Sequence, residues 1–251
     1  MDNEYFSKEF EVHYYESNGF REITPASIMN YLQDIAIDQS QSVGLGVEKL
    51  LQEQRAWVLT RWDIKIKRYP AMGEKIIVNT WPSKFERCFA TREFIVTDKN
   101  ENKIIKATST WIFLDTKRRK PVRITEEIGN SYALNPNKAM EDIFEESYSL
   151  GNNDYSKEFI VRKSDIDTNE HVNNVKYVEW IIETMPMDLY SEYSIKFIDV
   201  RYLKELLLDD DIVCTTEIVS KDDSMTCVHT ITSPDGSIEF AKAKTRWDKR
   251  F

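Results

Sequence analysis

The hydrophobic pattern changes its period along the first half of the chain. Thr24 and Pro25 predict a helix start, since threonine caps helices and proline suits the first helical position. Apolar residues then recur at three- and four-residue spacing up to Gln41, which gives the helix a buried stripe. From Trp57 onward the period is two, which is typical of strands, whereas residues 42–54 remain unassigned. The predicted strands are 10–14 before the helix and 57–66, 76–81, 89–97 and 104–114 after it.

The second half of the chain repeats this order. Glu9-Phe10-x-Val12 recurs as Glu158-Phe159-x-Val161 at an offset of 149 residues. Ala107-x-Ser109-x-Trp111 recurs as Ala243-x-Thr245-x-Trp247 at an offset of 136 residues. The difference between the offsets gives the first copy 13 extra residues, which we expect in the unassigned segment after its helix. The matches predict an internal duplication in which each copy has a strand, a long helix and a four-stranded meander.

A long helix against an antiparallel meander is the hot-dog pattern. Two copies predict an α+β fold of the double hot-dog type, in which two antiparallel sheets, each wrapped around a long helix, join edge to edge. The expected divisions are an N-terminal hot dog at 1–122, a linker at 123–154 and a C-terminal hot dog at 155–251. The linker is predicted because 123–154 lacks clear periodicity.

Composition and charge narrow the function classes. The chain has 251 residues, is 41% hydrophobic and carries a net charge of -9, which disfavours nucleic acid as a partner. No apolar run approaches the roughly 20 residues of a membrane span, and the N-terminus is acidic, so we expect a cytoplasmic protein. The three cysteines lack metal-site spacing, which favours free buried thiols over disulfides or zinc.

Polar residues crowd into the stretch that begins the second long helix. Asp167, Asn169 and His171 fall on alternate positions, so an extended backbone could direct all three side chains to one side. A carboxylate, an amide and a histidine in this arrangement suit proton transfer. Asn173 and Asn174, by contrast, are expected to cap the helix.

The stretch from Asp167 to Tyr177, followed by Trp180-Ile181 and Glu183, resembles the signature of acyl-ACP thioesterases, the plant and bacterial enzymes that end fatty acid synthesis. The resemblance extends over nearly the whole chain. It implies a double hot-dog enzyme that hydrolyses the thioester between a fatty acyl chain and the phosphopantetheine arm of acyl carrier protein. It implies neither a metal nor an organic cofactor.

The same resemblance implies the catalytic residues. The motif's Asp, Asn and His correspond to Asp167, Asn169 and His171, and a glutamate that the family has on a later strand corresponds to Glu205. Leu206 stands where the family usually has a cysteine, which argues against a cysteine nucleophile here. We therefore favour water activated by Glu205 and His171, with Asn169 orienting the water or the carbonyl. Asp167 either holds the polar network or attacks directly, and the two carboxylates could exchange roles.

The first copy lacks this set of residues. At the repeat offsets, Asn18, Phe20 and Glu22 correspond to the motif residues, and Tyr69 corresponds to Glu205. We therefore expect one active site per chain, in the second copy, while the first copy shapes the acyl tunnel.

The densest basic run is a candidate docking site for the carrier. It consists of Lys117, Arg118, Arg119 and Lys120. A basic run is usually a solvated loop, but acyl carrier proteins are acidic and would be attracted to local positive charge.

We expect a monomer or a weak homodimer, because the duplication supplies both hot dogs. The alternatives are an acyl-CoA thioesterase on the same fold and a non-catalytic acyl-binding or regulatory protein.

Overall fold

A computed structural model describes residues 5–141 and 151–250 of the chain. It forms two compact units, Met1–Asp142 and Ile143–Phe251, which we call unit 1 and unit 2. Each unit is an antiparallel sheet with one principal helix, so the predicted hot-dog architecture is confirmed for each. Within the described residues, every helix is too short or too polar to cross a membrane.

Unit 1 begins with a strand and a long helix. Its elements are β1 (Phe6–Glu11), a 3₁₀ helix (Tyr14–Glu16), α1 (Pro25–Ser42), α2 (Val47–Gln52), β2 (Arg55–Ile66), β3 (Lys75–Glu86), β4 (Phe89–Thr97), β5 (Lys103–Asp115), β6 (Lys120–Pro121) and α3 (Glu126–Ser131). The sheet order is β1-β3-β4-β5-β2, antiparallel throughout, and β6 pairs with β5. The principal helix α1 packs on β1 and β3.

Unit 2 has the same plan. Its elements are β7 (Tyr155–Ile160), a 3₁₀ helix (Lys163–Asp165), α4 (Asn174–Thr184), α5 (Met187–Glu192), β8 (Tyr193–Tyr202), β9 (Asp211–Lys221), β10 (Ser224–Thr232) and β11 (Glu239–Lys249). The antiparallel order β7-β9-β10-β11-β8 matches that of unit 1. Its principal helix α4 packs on β7 and β9.

Both principal helices begin where capping chemistry predicts. Thr24 Oγ1 accepts the Ser27 N–H at 3.0 Å, and Asn173 Oδ1 accepts the Val175 N–H at 3.1 Å. Such a cap contributes about 1 kcal/mol to helix stability. The predicted stripe of α1 is fully buried, so the helix forms the core of its unit. The helix ends at Ser42, close to the predicted Gln41.

The repeat offsets hold in three dimensions. β1 and β7 begin 149 residues apart, as do α1 and α4, whereas β3 and β9 begin 136 residues apart. The expectation for the 13 extra residues was partly wrong: α1 has 18 residues and α4 only 11, so the insertion lengthens the helix itself. The unassigned segment contains α2, whose counterpart in unit 2 is α5.

Part of the predicted linker folds on unit 1. The segment 123–154 contains α3, and Trp81 Nε1 donates to the Asn137 carbonyl at 2.8 Å. Ala139 N–H donates to Glu93 Oε2 at 3.1 Å. Residues 142–150 of this segment lie outside the described residues. The three-part division of the chain stays a prediction.

Candidate active site

A tight loop joins the 3₁₀ helix of unit 2 to α4. Asp167 N–H donates to the His171 carbonyl at 2.8 Å, and Glu170 N–H donates back to the Asp167 carbonyl at 3.1 Å. The Asp167 side chain accepts the Asn169 N–H at 2.8 Å. Glu170 takes the left-handed conformation, with φ of 63°, which closes the turn. These backbone bonds bring the candidate residues Asp167, Asn169 and His171 into one loop.

Unit 1 builds the same loop from other residues. Asn18 N–H donates to the Glu22 carbonyl at 2.8 Å, and Arg21 N–H donates to the Asn18 carbonyl at 3.0 Å. Asn18 Oδ1 accepts the Phe20 N–H at 2.9 Å, and Arg21 has φ of 60°. The loop therefore forms without a carboxylate at its first position or a histidine at its last. Its backbone does not explain why unit 2 has Asp167 and His171.

His171 and Glu205 come together from separate parts of unit 2. His171 Nε2 lies 3.1 Å from Glu205 Oε2, and the two side chains are 27% and 38% exposed. The pair can therefore exchange a proton while remaining open to a substrate. The resemblance implied that Glu205 lies on a strand. In the structure it lies instead in the loop that follows the end of β8 at Tyr202. The loop lets its side chain turn toward His171, while the neighbouring Leu206 is fully buried.

Two tyrosines support the Glu205 loop. Tyr177 Oη donates to the Lys204 carbonyl at 3.3 Å, and Tyr202 Oη donates to the Asn174 carbonyl at 3.0 Å. Their rings meet edge to face with centroids 5.2 Å apart. Burial raises the pKa of both phenols, which keeps both as donors. These contacts tie the Glu205 loop to α4.

A backbone bond completes this support. Val172 N–H, directly after His171, donates to the Leu206 carbonyl at 3.0 Å. The residues on both sides of Glu205 are thus bonded to the segment that carries His171. This role of Tyr177 and Tyr202 could not be predicted from the sequence, because a hydrogen bond to a carbonyl more than 20 residues away leaves no local pattern.

The other two candidates have less direct positions. The Asp167 side chain is half-buried and bonded within its own loop. The Asn169 side chain is exposed and has no hydrogen bond among the described residues. The contact between His171 and Glu205 is therefore the chemical centre of the arrangement.

The start of α4 offers a backbone donor. Asn173 caps the helix and occupies the Val175 N–H, as predicted, while Asn174 is the first helical residue. In the described part of the chain, the Asn174 N–H has no intramolecular acceptor. The equivalent residue of unit 1 is Pro25, which has no N–H at all. Unit 2 thus has an N–H donor at the first position of its principal helix, where unit 1 has a proline.

The predicted basic run lies in unit 1, at the end of β5. Lys117, Arg118 and Arg119 form an exposed turn, and Lys120, also exposed, begins β6. Arg118 N–H donates to Asp115 Oδ1 at 2.8 Å, and this hydrogen bond is the main cause of the lowered pKa of Asp115. The four side chains form a solvated surface.

The remaining histidines and cysteines lie outside the loop. His229 lies between Thr216 Oγ1 at 2.8 Å and Thr245 Oγ1 at 2.7 Å, and burial lowers its pKa to about 3. Burial also raises the pKa of the Cys214 and Cys227 thiols to about 12, as expected for buried free cysteines. Cys88 is only half-buried. Across residues 5–141 and 151–250, no group of three His, Cys, Asp or Glu residues could hold a metal ion.

Family models match both halves of the chain. The acyl-ACP thioesterase N-terminal domain matches residues 3–132, and the acyl-ACP thioesterase C-terminal domain matches residues 148–249. Together they account for most of the sequence.

Individual relatives and solved structures also match the chain over almost its whole length. A dodecanoyl-[acyl-carrier-protein] hydrolase of Cinnamomum camphora, named as chloroplastic, is 29% identical over 96% of this chain and 67% of its own length. The 12:0-ACP thioesterase of Umbellularia californica superposes with a TM-score of 0.90 at 25% identity, over 100% of this chain and 96% of that one. An acyl-ACP thioesterase of Bacteroides thetaiotaomicron gives 0.88 at 25% identity, over 98% and 99%.

The chain spans only 64% to 67% of the length of three curated relatives, including that hydrolase. The matched part nevertheless contains both domains of the family, the loop at Asp167 and the glutamate at Glu205. The chain therefore belongs to the acyl-ACP thioesterase family.

Proposed function

We propose that this chain hydrolyses the thioester of fatty acyl-acyl carrier protein and releases a free fatty acid. The observation that carries the proposal is the contact of His171 Nε2 with Glu205 Oε2 at 3.1 Å, where His171 ends a loop that unit 1 builds without a histidine. The names of the relatives, which are acyl-ACP hydrolases and thioesterases, support the same substrate. The role of each residue below is part of the proposal.

His171 acts as the general base. A carboxylate only accepts hydrogen bonds, so its contact with Glu205 puts the proton of the neutral imidazole on Nε2. Nδ1 then has the lone pair that takes a proton from water. Glu205 orients the imidazole and stabilises the imidazolium that forms, while the water oxygen bonds to the thioester carbon.

The remaining groups stabilise the charge that develops. The carbonyl oxygen becomes negative as water adds, and the Asn174 N–H at the start of α4 stabilises it. Asn169 donates its side-chain amide to the same carbonyl and orients it. Asp167 keeps the loop in shape through the Asn169 N–H and adds a second negative charge near the imidazolium.

The leaving thiolate receives the proton that His171 took from water. When the tetrahedral intermediate collapses, the carbon–sulfur bond breaks and the electron pair goes to sulfur. The imidazolium of His171 protonates the thiolate, which leaves as the thiol of the phosphopantetheine arm. One water is consumed, and the base returns to its neutral form. No cofactor or metal takes part in the proposed reaction.

The test compares His171→Ala with Glu22→Ala, its counterpart in unit 1. Loss of the general base should lower kcat/KM for acyl-ACP at least about 100-fold, whereas Glu22→Ala should remain near wild type. Released fatty acid is the readout, and circular dichroism checks the fold. Near-normal turnover by a folded His171→Ala variant would exclude the assignment.

The carrier protein is proposed to dock on Lys117, Arg118, Arg119 and Lys120. Their exposure and positive charge, on a protein of net charge -9, suit an acidic partner. The double variant Arg118→Glu and Arg119→Glu should raise KM for acyl-ACP about three- to tenfold and leave a small acyl thioester unaffected. The matched control reverses the exposed Lys99 of the β4–β5 turn and the exposed Lys103 at the start of β5. Equal effects on both substrates would exclude docking here.

A substrate panel separates the remaining alternatives. An acyl-CoA thioesterase would hydrolyse the CoA ester at least as fast as the carrier-protein ester, and a non-catalytic acyl-binding protein would hydrolyse neither. Varying chain length in the same panel tests the proposal that unit 1 shapes the acyl site. Cell fractionation tests the proposed cytoplasmic location, and sedimentation tests the proposed monomer or weak dimer.

A further inference from the structure

The turn between β3 and β4 lies beside the basic run of unit 1. It consists of Arg87 and Cys88, and Arg87 takes the left-handed conformation, with φ of 56°. The Cys88 carbonyl accepts the Phe113 N–H at 2.8 Å, which ties the turn to the end of β5. The Arg87 carbonyl accepts the Ile124 N–H, also at 2.8 Å, which ties the turn to the segment after the basic run. Arg87 and Arg123, the neighbour of Ile124, therefore extend the basic surface.

This surface is positive on an acidic protein. Arg87 and Arg123 are exposed, as are the four residues of the basic run. The segments 84–89 and 115–127 together contain seven Lys or Arg residues and four Asp or Glu residues, which gives them a net charge of +3, whereas the whole chain carries -9. The surface can therefore attract an acidic protein that the rest of the chain would repel.

An aromatic side chain lies next to these charges. Phe89 follows the turn directly as the first residue of β4, and it is 44% exposed. Aromatic and arginine side chains are enriched in protein interfaces, where a few of them provide most of the binding energy. An exposed phenylalanine beside arginines therefore has the composition of a protein-binding surface.

Unit 2 builds the corresponding turn from other residues. The β3–β4 and β9–β10 turns each have two residues and join strands that occupy the same places in their sheets. In unit 1 the turn is Arg87 and Cys88, and Phe89 follows it. In unit 2 the turn is two aspartates, at positions 222 and 223, and Ser224 follows it. The fold therefore requires neither the cation nor the aromatic ring at this turn, and both are accounted for by binding.

We propose that Arg87, Phe89 and Arg123 form one docking surface with the basic run, and that its occupant is the acidic protein surface of acyl carrier protein. The choice of this partner rests on the proposed function, in which the carrier delivers the substrate. Carboxylates of the carrier pair with the arginines, and an apolar side chain of the carrier packs on Phe89. A second copy of this chain suits the surface less well, because a two-fold dimer would place positive charge against positive charge.

Binding of the carrier, measured without hydrolysis, tests the aromatic part of this surface. The full chain is titrated in a calorimeter, at low ionic strength, with acyl carrier protein whose phosphopantetheine arm bears no acyl group. Phe89→Ser, which introduces the residue that unit 2 has here, should weaken binding about five- to tenfold because the apolar anchor is lost. Ile77→Ser is the matched control, since it removes another exposed apolar side chain of unit 1. Equal affinity of wild type and Phe89→Ser would overturn the proposal.

Charge reversal tests the electrostatic part. Arg87→Asp should weaken binding about three- to tenfold and should preserve the turn, because aspartate tolerates the left-handed conformation. The difference from wild type should shrink as salt is raised toward about 1 M, which screens exposed charges. The control Lys67→Asp reverses another exposed charge of unit 1 and should bind as wild type does. An equal loss of affinity in both variants would show that net charge alone controls binding, and the surface would be refuted.

The test separates this surface from the proposed hydrolysis, which is measured on wild-type protein with a small acyl thioester. A protein that hydrolyses this ester, but whose affinity for the carrier is unaffected by Phe89→Ser, keeps the proposed activity and excludes the surface. A protein that hydrolyses no thioester, but binds the carrier through Phe89, supports the surface and excludes the activity. Sedimentation covers the other occupant: if Phe89→Ser dissociates a dimer and leaves carrier binding unchanged, the surface binds a second copy and the proposal is wrong.

Discussion

Replacing Asp167 with asparagine separates the loop-building role of this residue from its chemical role. The Asp167 side chain accepts the Asn169 N–H at 2.8 Å, and in unit 1 the amide of Asn18 accepts the equivalent Phe20 N–H at 2.9 Å. An amide oxygen at this position therefore supports the same backbone. The Asp167→Asn variant keeps the acceptor and removes only the negative charge.

The expected cost in stability is small. A hydrogen bond to a charged acceptor contributes about 1 kcal/mol more than a neutral one, so the free energy of unfolding should fall by about 1 kcal/mol or less. For a chain of 251 residues this corresponds to a decrease in Tm of about 2–4 °C. In the proposed mechanism this charge stabilises the imidazolium of His171, so activity should fall much further, by about 100-fold or more in kcat.

Urea denaturation measures the stability, and fatty acid release from acyl-ACP measures kcat. The matched control is Asn18→Asp, which introduces a carboxylate into the corresponding loop of unit 1 and should leave kcat unchanged. If Asp167→Asn keeps kcat within about twofold of wild type, Asp167 only supports the loop. A loss of several kcal/mol in stability would instead show that the two loops are not equivalent.

The remaining predictions concern the support of Glu205 and a buried histidine. Tyr177→Phe should lower kcat about three- to tenfold with little change in KM, because the loop of Glu205 loses a hydrogen bond that holds it. Tyr31→Phe in unit 1 should leave kcat unchanged. An equal loss of kcat in both variants would argue for a general packing effect. Burial lowers the pKa of His229 from 6.5 to about 3, so the unfolded chain binds a proton here at a higher pH than the folded protein does. The free energy of unfolding should therefore decrease as the pH falls from about 6.5 toward 3, by up to about 1.4 kcal/mol for each pH unit. His229→Gln should make urea-derived stability less dependent on pH over this range, and an unchanged slope would contradict the assigned burial effect.

Local patterns in the sequence were sufficient to predict the principal helix and the duplication. Thr24 and Pro25 mark a helix start through their own backbone chemistry, and the structure confirms it. The repeat offsets also hold, since identical element order requires similar spacing. The helical part of the insertion was missed because no end was predicted for the helix of the second copy, which is shorter than α1.

The site was predictable only in part. The stretch at Asp167 was visible because its residue types are unusual together, and Glu205 required the resemblance to a family. The support from Tyr177 depends on a contact with the Lys204 carbonyl, which no local period encodes.

The matched loops at Asn18 and Asp167 also have an evolutionary consequence. In a homodimer of identical chains, every substitution appears in both copies, so a gain in one subunit can damage the other. Fusion of the copies removes this constraint, and each can then be selected separately. Unit 2 could retain acid–base residues while unit 1 exchanged them for Asn18, Phe20 and Glu22. The surviving backbone match makes unit 1 a natural scaffold for rebuilding a second site by substitution.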